Sequence, residues 1–219
     1  MSTENLIQEI YKNRFQDEYE KRDKVWKVLT KEYFQRFIND SATVLEVAAG
    51  YCHFINNVNC KNKIAIDINP DITKYANKDV QILISTSTDI QSIQDSTIDN
   101  IFISNFFEHL TKDDILKTLK ECHRILKNNG NLMILQPNIR YCAKDYWMFF
   151  DHITPIDDRA LVEVLSALGF EIKLHKPKFL PYTMKSKFPT FKILISIFLK
   201  ISFLQSLMGK QSFTVAQKS

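Results

Sequence analysis

Glycine is scarce in this chain of 219 residues, which contains only four: Gly50, Gly130, Gly169 and Gly209. Average usage of about 7% would give roughly fifteen. Glycine adopts positive φ at little cost, so the chain has few positions where the backbone can turn this way easily. Hydrophobic residues make up 45% of the chain and charged residues 25%. This composition excludes collagen-like, low-complexity and largely disordered chains, and the length suits one folded domain.

Arginine and acidic residues are absent from the last 48 residues, 172–219, which contain nine lysines. The first 171 residues therefore have 20 basic and 25 acidic residues, a net charge of −5. An acidic body with a basic, apolar tail argues against a general nucleic-acid binder, whose basic residues cluster over the body. We expect no nucleic-acid partner, and an anionic partner or surface remains open for the tail.

The sequence also lacks CxxC pairs and shows no signal-peptide pattern in its first residues. The four cysteines, at positions 52, 60, 122 and 142, form no CxxC pair and match no zinc-binding spacing. We therefore expect reduced thiols and no metal site. The sequence begins MSTENLIQEI, in which no apolar stretch follows a basic segment. These features predict a cytoplasmic protein.

Apolar, β-branched runs alternate with helical patterns along most of the chain. Strands are predicted over 42–47, 63–67, 81–86, 99–105, 131–136, 170–176 and 212–218. Helices are predicted over 112–126 and 157–168, and helix starts in HFINNV (53–58) and at Asn69. The alternation predicts an α/β, Rossmann-like sheet of seven strands, mostly parallel with the last strand antiparallel, covered by helices on both faces.

Two segments flank this pattern within what we predict to be a single domain, 1–219. Aromatic residues recur at steps of three and four over the first forty residues, from Tyr11 and Phe15 to Tyr33 and Phe37. This spacing predicts an N-terminal helical cap of one or two amphipathic helices over 1–40. An apolar, lysine-rich insertion, 177–211, separates the last two strands.

Small and polar residues follow the first four predicted strands. Glu46 and a small-residue loop around Gly50 follow the first strand, Asp67 the second, Asp89 the third and Asn105 the fourth. Ligands of open α/β sheets bind outside the carboxyl ends of the strands, and a helix start after a small-residue turn favours a negative group. An acid about twenty residues after the loop is placed to accept hydrogen bonds from ribose hydroxyls.

The ordered segments VLEVAAGYCHF, AIDINP, STDI, SNFFEHL and RILKNNGNLMILQPN resemble the class I S-adenosylmethionine-dependent methyltransferases, in particular a small bacterial group of the type 11-like kind. The resemblance covers roughly 42–176. It implies a methyltransferase that uses S-adenosylmethionine and releases S-adenosylhomocysteine.

The resemblance also implies which residues bind this cofactor. They lie after strands one to four: Glu46, Ala48, Gly50, Tyr51, Asp67, Ile68, Asp89, Ile90 and Asn105. In the family, the residue matching Glu46 reaches towards the cofactor's amino group, and the residue matching Asp67 binds the ribose hydroxyls. The pair matching Asp89 and Ile90 lies at the adenine edge, and Asn105 matches a position that faces the reactive methyl group.

Three positions depart from the family pattern: Ala48 and Cys52 stand where glycine is usual, and Glu46 where Asp is commoner. Alanine at positive φ is strained, so we expect Ala48 at negative φ or a loop that holds the cofactor less closely. A nicotinamide-binding Rossmann domain would need three loop glycines beside its pyrophosphate. That class, and a non-catalytic or regulatory S-adenosylmethionine-binding protein, remain the alternatives.

Two histidines are candidate bases for a hydroxyl or amine acceptor. His109 follows the fourth strand, and His152 lies beside Asp151. The sequence does not choose between them, and His109 could instead cap or pack at the next helix.

Candidate acceptor-binding residues surround an aromatic-rich segment after the fifth strand: Asn138, Arg140, Tyr146 and Trp147. Aromatic faces with polar groups at the rim suit a sugar or a planar acceptor. An aromatic cover over the core is the alternative interpretation.

The insertion contains the apolar run TFKILISIFLKISFLQSLM, 190–208. Lys200 in its middle argues against a membrane span. Lys192, Ser196 and Lys200 form one polar stripe, which predicts a single amphipathic helix with a wide buried face. It could be a lid over the substrate, a homodimer interface, or a segment (185–208) peripheral on the inner membrane surface.

The stretch from Pro137 through FFDH, FLPYT and GKQSF is similar to a bacterial methyltransferase group associated with surface-polysaccharide and glycolipid biosynthesis. This resemblance implies a small-molecule or glycan acceptor, in particular a hydroxyl on a sugar or glycolipid intermediate.

Overall fold

The computed structural model describes residues 18–182 and 192–219, in which seven strands form one sheet. The strands are β1 (Thr43–Val47), β2 (Asn62–Asp67), β3 (Val80–Ile84), β4 (Ile98–Ser104), β5 (Leu126–Pro137), β6 (Phe170–Leu180) and β7 (Gln211–Lys218). Their order is β3-β2-β1-β4-β5-β7-β6. The first five strands are parallel, and β7 pairs antiparallel with both β5 and β6. The predicted fold class is confirmed.

Six α-helices accompany the strands in the described residues: α1 (Tyr19–Glu32), α2 (Lys112–Ile125), α3 (Ile139–Tyr146), α4 (Asp158–Ala167), α5 (Lys192–Lys200) and α6 (Ser202–Met208). Short 3₁₀ segments cover Phe34–Phe37, Pro70–Lys74 and Phe107–His109. The helices predicted over 112–126 and 157–168 are confirmed as α2 and α4. Side-chain oxygens of Thr111 and Asp157 accept backbone N–H groups at their starts, as N-caps do.

Two apolar layers sandwich the sheet. The layer under α1 is aromatic, with Phe34, Phe102 and Phe213 fully buried. The layer under α2 and α4 is aliphatic and includes Leu119 and Leu165, which are also fully buried. Parallel strands with both faces covered read as continuous apolar runs, which explains why the strands were recognisable in the sequence.

The helix start predicted in HFINNV produces no regular helix. Only isolated helical hydrogen bonds form there, such as Val58 N–H to the Phe54 carbonyl. Asn56 donates from its side chain to the Tyr75 carbonyl, and Asn57 donates to the His53 carbonyl. Asparagine side chains that bond the backbone compete with helix formation, so the segment stays a chain of turns. The start at Asn69 yields only the short 3₁₀ segment.

The single helix predicted over 190–208 is two helices, α5 and α6, which meet at Ile201. The buried side chain of Gln205 donates to the carbonyls of Phe198 and Leu199, the last turn of α5. These bonds satisfy carbonyl groups that a continuous helix would have bonded internally. The predicted N-terminal cap is represented by α1, whereas Tyr11, Phe15, Lys185 and Lys187 lie outside the described residues.

Much of the apolar face of this segment is not covered by the described chain, which disfavours the lid interpretation, whereas the homodimer and membrane interpretations stay predictions. Ile193 is 72% exposed, Phe203 73% and Leu207 69%. Of the predicted polar stripe, Ser196 contacts the protein, where its hydroxyl donates to Glu32 of α1, whereas Lys192 and Lys200 are exposed. Across 18–182 and 192–219, no helix has the length and hydrophobicity to cross a bilayer.

Candidate active site

The loop after β1 has an unusual backbone. Ala48, Gly50 and Cys52 have φ angles of 55°, 51° and 57°. Of the two alternatives expected for this loop, negative φ at Ala48 is therefore wrong, and a loop that holds the cofactor less closely stays a prediction. Every second residue of this loop is therefore in the left-handed region, which exposes the loop backbone as glycines would. Ala48 and Cys52 carry a Cβ, which makes this conformation unfavourable.

Asp67 at the end of β2 fixes this loop. Its Oδ2 accepts the Gly50 N–H at 2.8 Å, and its Oδ1 accepts the Asn69 N–H at 2.9 Å. Burial raises the pKa of Asp67, and the backbone N–H groups act in the opposite direction. Each carboxylate oxygen accepts more than one hydrogen bond, so the side chain keeps acceptor capacity for ribose hydroxyls.

Glu46 is buried beneath the same loop. Its Oε2 accepts the Ile55 N–H at 3.0 Å. Burial raises the pKa of Glu46 to about 8, the Ile55 N–H lowers it, and the charge of Asp67 raises it. A bound ammonium group would favour the ionised form of this carboxyl.

An aromatic group that the sequence analysis did not find covers the loop. Tyr51 packs edge-on against Tyr75, with ring centroids 4.6 Å apart, and against Tyr19 of α1 at 5.7 Å. His53 lies beneath them, 3.5 Å from Asp23, and burial lowers its pKa to about 4. The aromatic spacing of the first forty residues predicted a helix but not the loop against which this helix packs.

Of the residues expected to bind the adenine, two are exposed to solvent and one is buried in the core. Ile68 is 60% exposed, and Asp89 is also exposed. Ile90 is fully buried in the aliphatic layer, and its N–H is donated to Glu121 Oε2 at 2.8 Å. An open apolar side chain and an open carboxylate fit an adenine ring and its amine, whereas the Ile90 side chain contributes to the core.

A cluster of two histidines and two acids lies at the carboxyl end of β4. Asn105, which follows β4 directly, has φ 48° and donates its N–H to the Leu135 carbonyl. His109 Nδ1 lies 3.0 Å from the Asp151 carbonyl oxygen and 3.3 Å from Asp151 Oδ2. The rings of His109 and His152 are 5.0 Å apart. The structure thus brings together all three predicted catalytic residues.

Glu108 is the member of this cluster that sequence reasoning missed. Its side chain is buried, its Oε1 is 3.9 Å from His109 Nε2, and its Oε2 has no hydrogen-bond partner among the described residues. Burial raises the pKa of Glu108. Ligand atoms of Glu108, His109 and His152 all lie within 4.8 Å of one another. Imidazole and carboxylate are ligands of zinc and non-haem iron, so these residues could hold a divalent cation.

Two of the predicted acceptor-binding residues are buried and engaged by the protein. Asn138 caps α3 and donates to Asp158 Oδ1 and the Pro177 carbonyl. The Tyr146 hydroxyl donates to the Thr154 carbonyl and accepts the Ile156 N–H. These contacts argue against direct acceptor binding by either side chain.

The other two predicted acceptor residues are more accessible. Arg140 is partly exposed and forms an ion pair with Asp158, with Nη1 2.9 Å from Oδ1. The Trp147 side chain is 56% exposed. Of the four, Trp147 therefore offers the largest free surface to an acceptor.

Residues 45–134 match the model of the type 11 methyltransferase domain family, described as a methyltransferase domain. The solved structure of an S-adenosylmethionine-dependent methyltransferase from Archaeoglobus fulgidus is similar over 94% of this chain and 99% of that chain, with a TM-score of 0.70 and 21% identity. The complex between the Haloferax volcanii Trm112 activator and a methyltransferase matches over 92% of this chain and 94% of that chain, with a TM-score of 0.66 and 15% identity. No curated protein matches the chain.

The fold is that of the class I methyltransferases, with the β7 strand inserted antiparallel between β5 and β6. Residues 45–134 are thus similar to a type 11 methyltransferase domain, and the whole fold is similar to those of S-adenosylmethionine-dependent methyltransferases. The left-handed loop after β1, the Asp67 carboxylate and the open Ile68 side chain fit this cofactor.

Proposed function

We propose that the enzyme transfers the methyl group to a hydroxyl of a small acceptor, a sugar or a glycolipid intermediate. The pairing of His109 with Asp151 at the end of β4, four residues beyond Asn105, carries this proposal. A hydroxyl must lose a proton during methylation, and a positioned imidazole is the commonest group that accepts one. The alternative, a cofactor-binding protein without turnover, gives no reason for such a pair at this position.

S-adenosylmethionine supplies an electrophilic methyl group on a sulfonium. We propose that Asp67 holds the ribose, Asp89 the adenine amine and Glu46 the amino group, while the loop of Ala48, Gly50 and Tyr51 contacts the rest. Ile68 packs on the adenine and Asn105 faces the methyl group. The chain then contributes mainly position, because holding the two reacting atoms in line removes most of the entropic barrier.

His109 is the base in this proposal. A backbone carbonyl only accepts hydrogen bonds, so the contact with the Asp151 carbonyl places the proton of the neutral imidazole on Nδ1. Nε2 then carries the lone pair that receives the hydroxyl proton. The His109 side chain is 25% exposed, whereas those of Asp151 and Glu108 are 5% and 2% exposed. His109 is therefore the most accessible of these three groups.

The test compares His109→Gln with His123→Gln, which changes a histidine on α2 packed against Phe170. We expect His109→Gln to retain S-adenosylhomocysteine affinity and to lower kcat by roughly 10²–10⁴-fold. His123→Gln should behave as the wild type. Acceptors are screened by release of S-adenosylhomocysteine from sugar and glycolipid pools. Unchanged kcat in His109→Gln would exclude this base.

A chelator provides a second arm of the test, because Glu108, His109 and His152 have the ligand types of a metal site. We expect turnover to continue after chelation and dialysis. Loss of activity that zinc or manganese restores would contradict the role of His109 as a base and would make the cluster a metal centre. If none of the acceptors tested releases S-adenosylhomocysteine while cofactor binding is intact, the non-catalytic alternative is favoured.

A further inference from the structure

Seven large apolar side chains of α5 and α6, or of the residue between them, are exposed. They form what we call the α5–α6 surface: Ile193, Leu194, Ile197, Ile201, Phe203, Leu207 and Met208. Their exposed fractions lie between 42% and 73%. Single exposed apolar residues are normal on soluble proteins, but a contiguous group marks an interaction site.

Contacts on the opposite side of the helices fix this orientation. The Ser196 hydroxyl donates to Glu32 Oε1 at 2.7 Å. Leu199 is buried, and Gln205 accepts a hydrogen bond from Lys176 of β6 at 2.8 Å. The helices are held by polar and apolar contacts on their inner side, so the exposed face is not a consequence of loose attachment.

A second exposed apolar group lies in the segment after α3. Its members are Trp147, Met148, Phe150 and Ile153, which are between 54% and 79% exposed. Two lysines, Lys178 and Lys210, contact α3, and Lys178 also contacts α6. Lys210 pairs with Asp145 at 2.8 Å, and Lys178 donates to the Ser206 carbonyl while lying 4.5 Å above the Tyr141 ring. The C-terminal end of α6 therefore lies close to α3, the helix that precedes the segment with Asp151 and His152.

The charge around the α5–α6 surface indicates what covers it. Lys192 and Lys200 are exposed on α5, and 172–219 contains no acidic residue. In a two-fold dimer the same patch faces itself, so these lysines would approach lysines. An anionic lipid surface offers both an apolar layer and the opposite charge.

We propose that the α5–α6 surface binds an anionic lipid bilayer, with the two helices lying in the interface and Lys192 and Lys200 beside the headgroups. The bound protein presents the segment 147–153, which contains Asp151 and His152, at the membrane. This inference goes beyond the proposed function, because it holds for any acceptor. It also explains how an acceptor anchored in lipid would reach His109.

Vesicle flotation tests the proposal without any turnover. The purified full chain is mixed with vesicles of phosphatidylcholine alone or with 30% phosphatidylglycerol, about a third of the lipid being a common anionic load. We expect the protein to float with the anionic vesicles and at least fivefold less with the neutral ones. The double variant Phe203→Ser/Leu207→Ser should lower the floating fraction at least tenfold. Leu116→Ser, which removes an exposed leucine on α2, should leave it unchanged.

Each variant is first checked for its circular dichroism spectrum and for S-adenosylhomocysteine binding, so that a folding defect is recognised. The charge variant Lys192→Glu/Lys200→Glu should reduce flotation on anionic vesicles. The flotation that persists in this variant should not depend on salt concentration. Absence of wild-type flotation overturns the proposal, as does equal binding to both vesicle types. A wild-type dimer in light scattering that Phe203→Ser/Leu207→Ser converts to monomer would also overturn it, in favour of self-association. None of these outcomes depends on His109 or on methyl transfer.

Discussion

At the scale of single residues, the loop after β1 reaches a glycine-like backbone with only one glycine. Ala48 and Cys52 both adopt left-handed φ angles, on either side of Gly50. A non-glycine residue in this region costs roughly 1–2 kcal/mol through the contact between its Cβ and the backbone. The loop persists because Asp67 holds Gly50, and because the Ala49 N–H is donated to the Ile66 carbonyl.

The substitution Ala48→Gly should therefore stabilise the enzyme. Relief of the left-handed strain exceeds the added entropy of the unfolded chain, and we expect a gain of about 1 kcal/mol in the free energy of unfolding. The matched control is Ala49→Gly, at a position without positive φ, which should lose roughly 0.5–1 kcal/mol. Urea denaturation measures both values. A lower stability of Ala48→Gly would contradict the strain.

The buried carboxyl of Glu46 should make stability depend on pH. Its pKa is raised to about 8 from 4.5, so the folded state holds the proton more tightly than the unfolded chain does. This contribution is fully present below pH 4.5 and is lost as the pH rises through 8.

We expect Glu46→Gln, which mimics the protonated form, to be more stable than the wild type at alkaline pH, by on the order of 3 kcal/mol. The difference should disappear in mild acid. Glu163→Gln, an exposed site on α4, serves as the control. Melting temperatures measured without cofactor from mild acid to alkaline pH give the comparison. If the melting temperatures of wild type and Glu46→Gln change with pH in the same way, the raised pKa is contradicted.

At the scale of elements, the catalytic cluster depends on how the segment after α3 is fastened to the end of β4. The N–H groups of Ile153 and Thr154 are donated to the Glu108 carbonyl, and the Thr154 hydroxyl donates to the Leu110 carbonyl. The Tyr146 hydroxyl donates to the Thr154 carbonyl from the other side. These bonds bring Asp151 to His109 although 42 residues separate them in the chain.

The substitution Tyr146→Phe tests this fastening. Loss of the hydroxyl leaves the Thr154 carbonyl and the Ile156 N–H without a buried partner, which costs about 1–3 kcal/mol. We expect kcat to fall about tenfold because Asp151 loses its position, a small geometric error at the reacting groups being costly. S-adenosylhomocysteine affinity should not change. Tyr141→Phe, at a half-buried tyrosine of the same helix, is the control, and equal kcat in both variants would contradict a positioning role for Tyr146.

The elements also differ in how well the sequence predicts them. The helices α2 and α4 have strong apolar periodicity and capping residues, and both lie where the pattern placed them. The HFINNV segment has apolar residues in helical positions, but its asparagines bond the backbone instead. The single helix predicted over 190–208 is two helices, and its apolar residues are divided between the core and the exposed side. Periodicity does not state whether an apolar face is turned to the protein or to its surroundings.

At the scale of the whole molecule, the sequence predicted the seven-stranded sheet and the grouping of the strands' carboxyl ends at one edge. Both follow from the alternation of strands and helices along the chain. This edge brings Glu46, Asp67 and Asn105 to one side of the sheet. The pairing of His109 with Asp151, and the burial of Glu108, could not be predicted, because they depend on the path of an irregular segment. Asn138 and Tyr146 lie near the site in sequence but point into the interior.

The placement of β7 between β5 and β6 imposes an order on folding during synthesis. Strand β6 leaves the ribosome before β7, yet β7 is the one strand of the described residues that pairs with it. At roughly 5–20 residues per second, β6 waits for a few seconds with both edges unpaired. Lys173, Lys176 and Pro177 within β6 are residues that discourage pairing with a foreign strand. We therefore expect the lysines of this strand to discourage aggregation of the nascent chain before β7 is available.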